Sequence, residues 1–322
     1  MPRAKQSESS RCARCQNYGM GFNVRSEQIC LACFIRYITM KVIKRLESNK
    51  LRAGYGETSK KILVPVSFGV SSLSLLSILD AHMQRRLQQG RHGGYTIYLL
   101  FVDESTVLDR AGFLHRIDLL KERFPAYEVA TIALQDCFDF GIHIDKEMLT
   151  TQGQVGQDSV TNSQRLLHLI AAMPGPSSKA DVLEICRRRI IAAYAQRENF
   201  DFVLYGDTTT RLSEKTLAET AKGRGGSIPW QHADGNESVE VPYVYPMRDL
   251  LRKEVQKYAE IADSLLTDLI APGEPSIVAL SLRNSSIDDI MRQYIESVEE
   301  NYPSIVANVV RTVDKLRMSD TT

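Results

Sequence analysis

The chain has 322 residues, a net charge of +1, 43% hydrophobic and 25% charged residues. That balance belongs to a globular protein and excludes bulk disorder, and any nucleic-acid surface has to be a local patch rather than a field over the whole chain. No apolar run reaches the roughly 18–20 residues of a membrane span, and the opening MPRAKQSESS lacks the apolar centre of a secretory signal, so the expected compartment is the cytosol, with no membrane partner.

Residues 1–11 are expected to form a disordered tip. Of the six cysteines, four follow in two tight pairs: Cys12-Ala-Arg-Cys15 and Cys30-Leu-Ala-Cys33, separated by fourteen residues. Each pair turns two thiolates toward one point, and two pairs supply the four sulfurs of a closed, structural Zn2+ site. An iron–sulfur centre and redox dithiols are the alternatives. The chain is too long and too poor in cysteine for a secreted disulfide scaffold. Cys137 and Cys186 stand apart and read as small buried hydrophobes. Ile35, Ile38, Val42, Ile43 and Leu46 recur at helical spacing and predict a helix from Phe34 to Leu51, which closes a zinc-ribbon module over 12–51. The opposite face carries Arg36, Lys41, Lys44, Arg45 and Lys50. Such a face is ordinarily just solvated, but beside a metal module it is also a candidate RNA contact.

Arg52–Ser59, with two glycines, reads as a linker. Strands are then predicted at Lys61–Ser67, Tyr95–Asp103, Tyr127–Leu134 and Asp201–Asp207. Helices are predicted at Ser71–Gln89, Ala111–Phe124, Asp181–Arg197 and Thr210–Lys222. This alternation predicts an α/β domain over 60–250, built on a parallel sheet with ligands at the carboxyl ends of its strands. The stretch 135–179 breaks the rhythm with TTQGQVGQDS and PGPSS around a short apolar helix, Leu166–Met173, and reads as an insertion. The region 251–322 is expected to be helical, within the segments Asp249–Ala262, Ser285–Glu300 and Pro303–Leu316.

Ser67-Phe68-Gly69-Val70-Ser71-Ser72 ends a strand and opens a helix, where backbone N–H groups and the helix dipole favour a phosphate. A plain N-cap by Ser71 or Ser72 explains the same residues. The loop resembles the PP-loop of ATP pyrophosphatases, Ser-Gly-Gly-x-Asp-Ser. Ser67, Gly69 and Ser72 match; Phe68 replaces a glycine and Ser71 the aspartate. Phe101-Val102-Asp103-Glu104 resembles the strand end that faces adenosine in that fold. Gly206-Asp207-Thr208-Thr209-Thr210-Arg211 occupies the place of the tRNA-thiolase motif Gly-His-x-x-Asp-Asp, keeping Gly206 and losing both paired aspartates. With the cysteine pairs, YPMRDL and the terminal YPSIVANVVRTVDKL, the chain resembles the accessory-subunit family of the eukaryotic wobble-uridine thiolase, from Cys12 to Leu316.

That resemblance implies a reaction in which ATP adenylates the wobble uridine and a thiocarboxylated ubiquitin-like modifier supplies sulfur. It implies tRNA and a catalytic sister subunit as partners, in a heterodimer. The Cys-x-x-Cys of active thiolases is absent, with Ala180 and Leu183 at its positions. The arginine run that follows is present as Arg187, Arg188 and Arg189; with Arg224 in a Gly-rich loop these join the tRNA-binding candidates. Phe68 is expected to restrict the positive φ a glycine would allow, and to fill the space a phosphate needs, so ATP binding is expected to be lost. The competing readings are an active ATP-dependent thiolase, and a zinc-ribbon nucleotide fold that binds protein. Trp230 reads as packing or as a partner anchor.

Overall fold

The computed structural model describes residues 10–19, 21–24, 27–49, 59–90, 94–108, 113–140, 161–229, 234, 241–262, 266–271 and 285–316. The expectations for most of the N-terminal tip, for nearly all of the linker, for Trp230 and for the centre of the insertion fall outside the described residues.

The N-terminal part consists of two small antiparallel hairpins. β1 (Ser10–Arg11) pairs with β2 (Tyr18–Gly19), and β3 (Gly21–Val24) pairs with β4 (Glu27–Cys30). Helix α1 (Leu31–Ser48) follows at once, with Cys30 as its extended N-cap residue. It therefore begins three residues before the predicted Phe34, and Cys33 lies in its first turn. Four residues of the predicted stripe, Ile38, Val42, Ile43 and Leu46, lie on its buried face together with Phe34, whereas the fifth, Ile35, is only partly buried. The hairpins escaped the sequence reading because strands of two to four residues are too short to show alternation.

The larger part is a five-stranded sheet in which every pairing is parallel. Its strands are β5 (Lys60–Pro65), β6 (Tyr95–Asp103), β7 (Glu128–Ala133), β8 (Phe202–Leu204) and β9 (Tyr243–Val244), in the order β7-β6-β5-β8-β9. β9 was not anticipated. Pro242 and Pro246 flank it and cut its apolar run short, and proline is tolerated at such an edge.

Between the strands run α2 (Val70–Gln88), α3 (Phe113–Arg123), α4 (Asn162–Ala172), α5 (Pro176–Arg197) and α6 (Thr209–Ala221). Then come α7 (Arg252–Ala262), the short α8 (Leu266–Leu269), α9 (Ile287–Asn301) and α10 (Pro303–Leu316). Within the predicted insertion, a 3-10 turn at Leu134–Phe138 and α4 are ordered elements, and α5 starts at Pro176. A capping box, Thr161 with Gln164, starts α4 earlier than its apolar residues suggested.

Successive residues of β5 point to opposite faces and so divide the core. Ile62 and Val64 pack with α1, α2, α3 and α7, while Leu63 packs with Ile190, Ile191 and Ala195 of α5. The first of these cores is continuous with Cys12, Val24 and Ile29 of the cysteine module. Polar ties reinforce this junction: the Tyr37 hydroxyl donates to Glu254 at 3.1 Å, Lys41 Nζ to the Asp249 carbonyl at 2.8 Å, and Arg45 to Asp234 at 2.7 Å.

Candidate functional site

The two hairpins and the start of α1 bring Cys12, Cys15, Cys30 and Cys33 together, with all four sulfurs within 4.8 Å of one another. Cys12 and Cys15 sit on a tight turn, closed by Gln16 N–H donating to the Cys12 carbonyl and by Gln16 itself at φ +63°. Cys15 Sγ and Cys30 Sγ are 3.6 Å apart. Four thiolates around one ion with bonds of about 2.3 Å would lie about 3.8 Å apart, so the donor set fits a single tetrahedral metal. The Cys15 backbone N–H donates to Cys12 and outweighs the effect of burial, lowering that thiol to about 6. Desolvation and the neighbouring sulfurs push Cys33 up to about 12. Among the described residues this is the one cluster suited to a metal.

Beside it lies an open groove of about 380 Å3 whose walls include Arg14, Arg36, Met40 and Lys44. The Arg14 guanidinium and Lys41 Nζ both lie over the Tyr37 ring, at 4.9 and 4.7 Å from its centroid. Arg36, Met40 and Lys44 are exposed, whereas Lys41 and Arg45 are the residues tied to Asp249 and Asp234.

The loop after β5 holds Phe68 at φ +57°, a conformation ordinarily left to glycine. Phenylalanine has thus not prevented the turn; it bears a strain of about 1–2 kcal/mol in it. Nor does the ring point out of the loop. It is fully buried, 5.3 Å from the Phe101 ring and 5.7 Å from the Phe113 ring, and the Phe68 carbonyl accepts from Ala271 N at 2.8 Å. Replacing Phe68 with Gly should relieve the strain but leave a cavity worth about 3–5 kcal/mol. A net loss of about 2–3 kcal/mol in urea unfolding is expected; a gain in stability would show that the ring contributes no packing.

Gly69 is the N-cap residue of α2, Ser71 lies in the first turn, and Ser72 Oγ donates to the Gly69 carbonyl at 3.0 Å, with Ser67 Oγ 3.3 Å away. Gly206 has a steric reason to be glycine: a Cβ there would lie 2.9 Å from Ser72 Cα. The loop and the segment after β8 are therefore in direct contact. Asp103 accepts from the Ser105 N–H at 2.9 Å and is engaged in the turn after β6.

The residues in place of the paired aspartates belong to the packing. Thr210 is fully buried; its hydroxyl donates to the Glu299 carboxylate and accepts from Arg252 N at 2.8 Å. Arg211 pairs with Glu214 at 3.1 Å, and Ser213 donates to the Val306 carbonyl at 2.8 Å. These positions fasten α9 and α10 to α6. Restoring a carboxylate with Thr210→Asp would set two carboxylates together in the interior and cost about 3–5 kcal/mol. Unfolding curves that superimpose on those of the unmodified chain would refute that reading.

The other basic candidates divide. Arg187 donates to Glu104 and to Glu184, and Arg188 to Glu184 at 3.1 Å. Arg224 makes paired bonds to Asp181, both 2.9 Å, and further bonds to Glu219. Asp207 pairs with Lys215 at 2.9 Å; burial would raise its pKa, but Lys215 and Arg211 hold it lower. Arg189 is exposed on α5. Glu184 and Glu299 were missed in the sequence, and Glu104 was read only as part of a strand end resembling one that faces adenosine; nothing there marks any of them as facing an arginine or a threonine. Cys137 and Cys186, separate in the chain, are brought within hydrogen-bonding reach in one core; contact with Cys186, then burial, pushes the Cys137 thiol up.

Comparison with known proteins places this geometry. The family model described as cytoplasmic tRNA 2-thiolation protein 2 matches residues 286–322. A protein of that name from Phaeosphaeria nodorum is 41% identical over 315 residues, covering 96% of this chain and 81% of the relative. One from Pyrenophora tritici-repentis is 38% identical, covering 95% and 79%. Among solved structures, the U34-tRNA thiolase NcsA from Methanococcus maripaludis with its [4Fe-4S] cluster superposes with a TM-score of 0.66 at 15% identity, covering 96% of this chain and 88% of that one. At that identity the likeness shows the fold alone, which is the PP-loop α/β architecture. No helix among the described residues is long and apolar enough to cross a membrane. By its identity to relatives along nearly its whole length, the chain belongs to the cytoplasmic tRNA 2-thiolation protein 2 family.

Proposed function

We propose that this chain serves 2-thiolation of the tRNA wobble uridine in the cytosol as a subunit that is not catalytic alone. It would bind tRNA and pair with a catalytic sister chain, with sulfur delivered by a thiocarboxylated ubiquitin-like modifier. The observation that carries this reading is the position of Thr210 and Arg211. Where an active thiolase is expected to hold paired carboxylates, this chain has a buried hydroxyl bonded to Glu299 and a guanidinium bonded to Glu214. Neither can bind Mg2+ as a carboxylate does. The test is a pyrophosphatase assay with and without tRNA. No turnover above background is expected; turnover abolished by changing Ser67 or Gly69 would make the chain an enzyme in its own right.

The resident metal is Zn2+ in this reading. Four thiolates in one compact set, with no ligand position left for substrate, suit a structural ion. The tRNA surface would lie in the groove beside it. Lys41, Arg45, Arg187, Arg188 and Arg224 are each committed to partners within the chain, which favours the exposed Arg36 and Lys44 for phosphate contact. Changing both to Glu should weaken tRNA binding and flatten its dependence on salt, by about one counterion for each phosphate that is no longer neutralised. An unaltered salt slope would return them to the role of a solvated face.

A further inference from the structure

The sheet order β7-β6-β5-β8-β9 means that the chain leaves β5 toward one edge and later resumes on its other side at β8. The crevice at such a switch point, outside the carboxyl ends of the strands, is where ligands of open α/β sheets bind. Here a row of ion pairs runs across it. Glu104, directly after β6, accepts from Arg187; Arg187 also donates to Glu184. Glu184 accepts from Arg188 at 3.1 Å and lies 3.6 Å from Lys215, which reaches Asp207 beyond β8 at 2.9 Å. The row thus begins beside β5 on the β6 side and ends on the β8 side, where Gly206 touches the first turn of α2. That first turn has no side-chain cap.

The distribution of charge within the row is uneven. Three cations, Arg187, Arg188 and Lys215, meet at the single carboxylate of Glu184, while Glu104 accepts from Arg187 at one end of the row and Asp207 from Lys215 at the other. Burial would raise the Glu184 pKa, but Lys215, Arg187, Arg188 and Arg211 together hold it well below the usual carboxylate range. Two guanidiniums and an ammonium around one oxyanion are the donor set of a phosphate site. In this chain the oxyanion is an internal one.

We propose that Glu184 is a built-in anion that occupies the switch-point crevice, so that removing its charge opens the crevice to a polyphosphate. This accounts for a loop that keeps its shape at Phe68, Gly69 and Gly206 while the cations needed for an anionic ligand are already satisfied from α5. The proposal concerns the crevice alone and does not depend on tRNA binding.

The probe is inorganic tripolyphosphate, titrated at low salt into the full chain by calorimetry. The unmodified protein should show no saturable binding. Glu184→Gln, which keeps the shape but removes the charge, should bind saturably, with an affinity roughly tenfold or more above the detection limit that the unmodified chain does not reach, as gained charge-assisted hydrogen bonds require. Glu184→Ala, which removes the carboxylate outright, is the second variant and should show the same gain if the first does not fold. Glu219→Gln, which removes one of the two carboxylates bonded to Arg224 outside this row, is the control and should gain nothing. The proposal is overturned if folded Glu184→Gln binds no better than the unmodified chain, if the unmodified chain itself binds saturably, or if Glu219→Gln gains as much.

Discussion

Removing the metal, or replacing Cys30 with Ser, is expected to unfold the N-terminal hairpins while leaving the α/β sheet intact. The strands of the hairpins are two to four residues long, and among the residues whose side chains are described few are buried: Val24, Ile29 and Cys12 itself. So small a core does not offset the entropy of ordering the chain without a staple. Binding of a structural zinc is worth about 10–16 kcal/mol, comparable with the whole stability of an ordinary domain. The damage should stop within α1, whose buried face is anchored on α2 and α7 and tied by Tyr37 to Glu254. Metal analysis of the reduced protein should give about one zinc per chain. After chelation, hydrogen exchange should lose protection from β1 to β4 but keep it in β5 and β6. Finding no metal, with all four thiols open to a thiol reagent and protection unchanged, would show the centre to be four ordinary cysteines.

The parts of this architecture that were legible in the sequence are those written by periodicity. The strand Tyr95–Asp103 and the helix Pro303–Leu316 have the predicted limits, because a long apolar run and a proline at the first helical turn leave little freedom. The spacing of the cysteines likewise carried the cluster of four sulfurs. The short strands of the module and β9 were illegible, since their pairing comes from tertiary contact rather than pattern. What the basic residues do was illegible for a related reason. Arg187–Arg189 read as a patch, yet Arg187 and Arg188 turn to Glu104 and Glu184 while Arg189 faces solvent. A single residue, about 100° of helical rotation, separates the paired Arg188 from the exposed Arg189, and only the packing of α5 against the sheet tells them apart. Phe68 shows a third limit. The sequence weighed it as an obstacle to a glycine turn, whereas the energy of burying its ring between Phe101 and Phe113 is large enough to hold the turn in spite of its strain.

The catalytic sister chain alone is expected to thiolate tRNA poorly, with activity rising by an order of magnitude or more when this chain is added, as joint positioning of a large substrate provides. The physical basis is a deficit. The fold keeps a phosphate-type loop but has Ser71, Thr210 and Arg211 where carboxylates are expected, and Ala180 and Leu183 where cysteines are expected. A second copy would repeat that deficit, so a heterodimer of related folds is the proposed assembly, paired about a near-two-fold axis. Such an interface should bury well over about 1,000 Å2 with an apolar centre. On α9 and α10, Val306, Val310, Val313 and Ile295 are spent on the chain's own core. Ile290, Tyr294, Tyr302 and Ile305 remain exposed and are the candidates for a contact of this kind. Light scattering of the co-expressed pair should give a one-to-one complex, and Tyr294→Glu combined with Ile305→Glu should weaken it without lowering the melting temperature of the isolated chain. A sister chain that reaches full activity alone would remove the deficit as an explanation. A stable pair that tolerates both substitutions would move the interface to another face of the fold, since two buried glutamates at an apolar centre cost several kcal/mol.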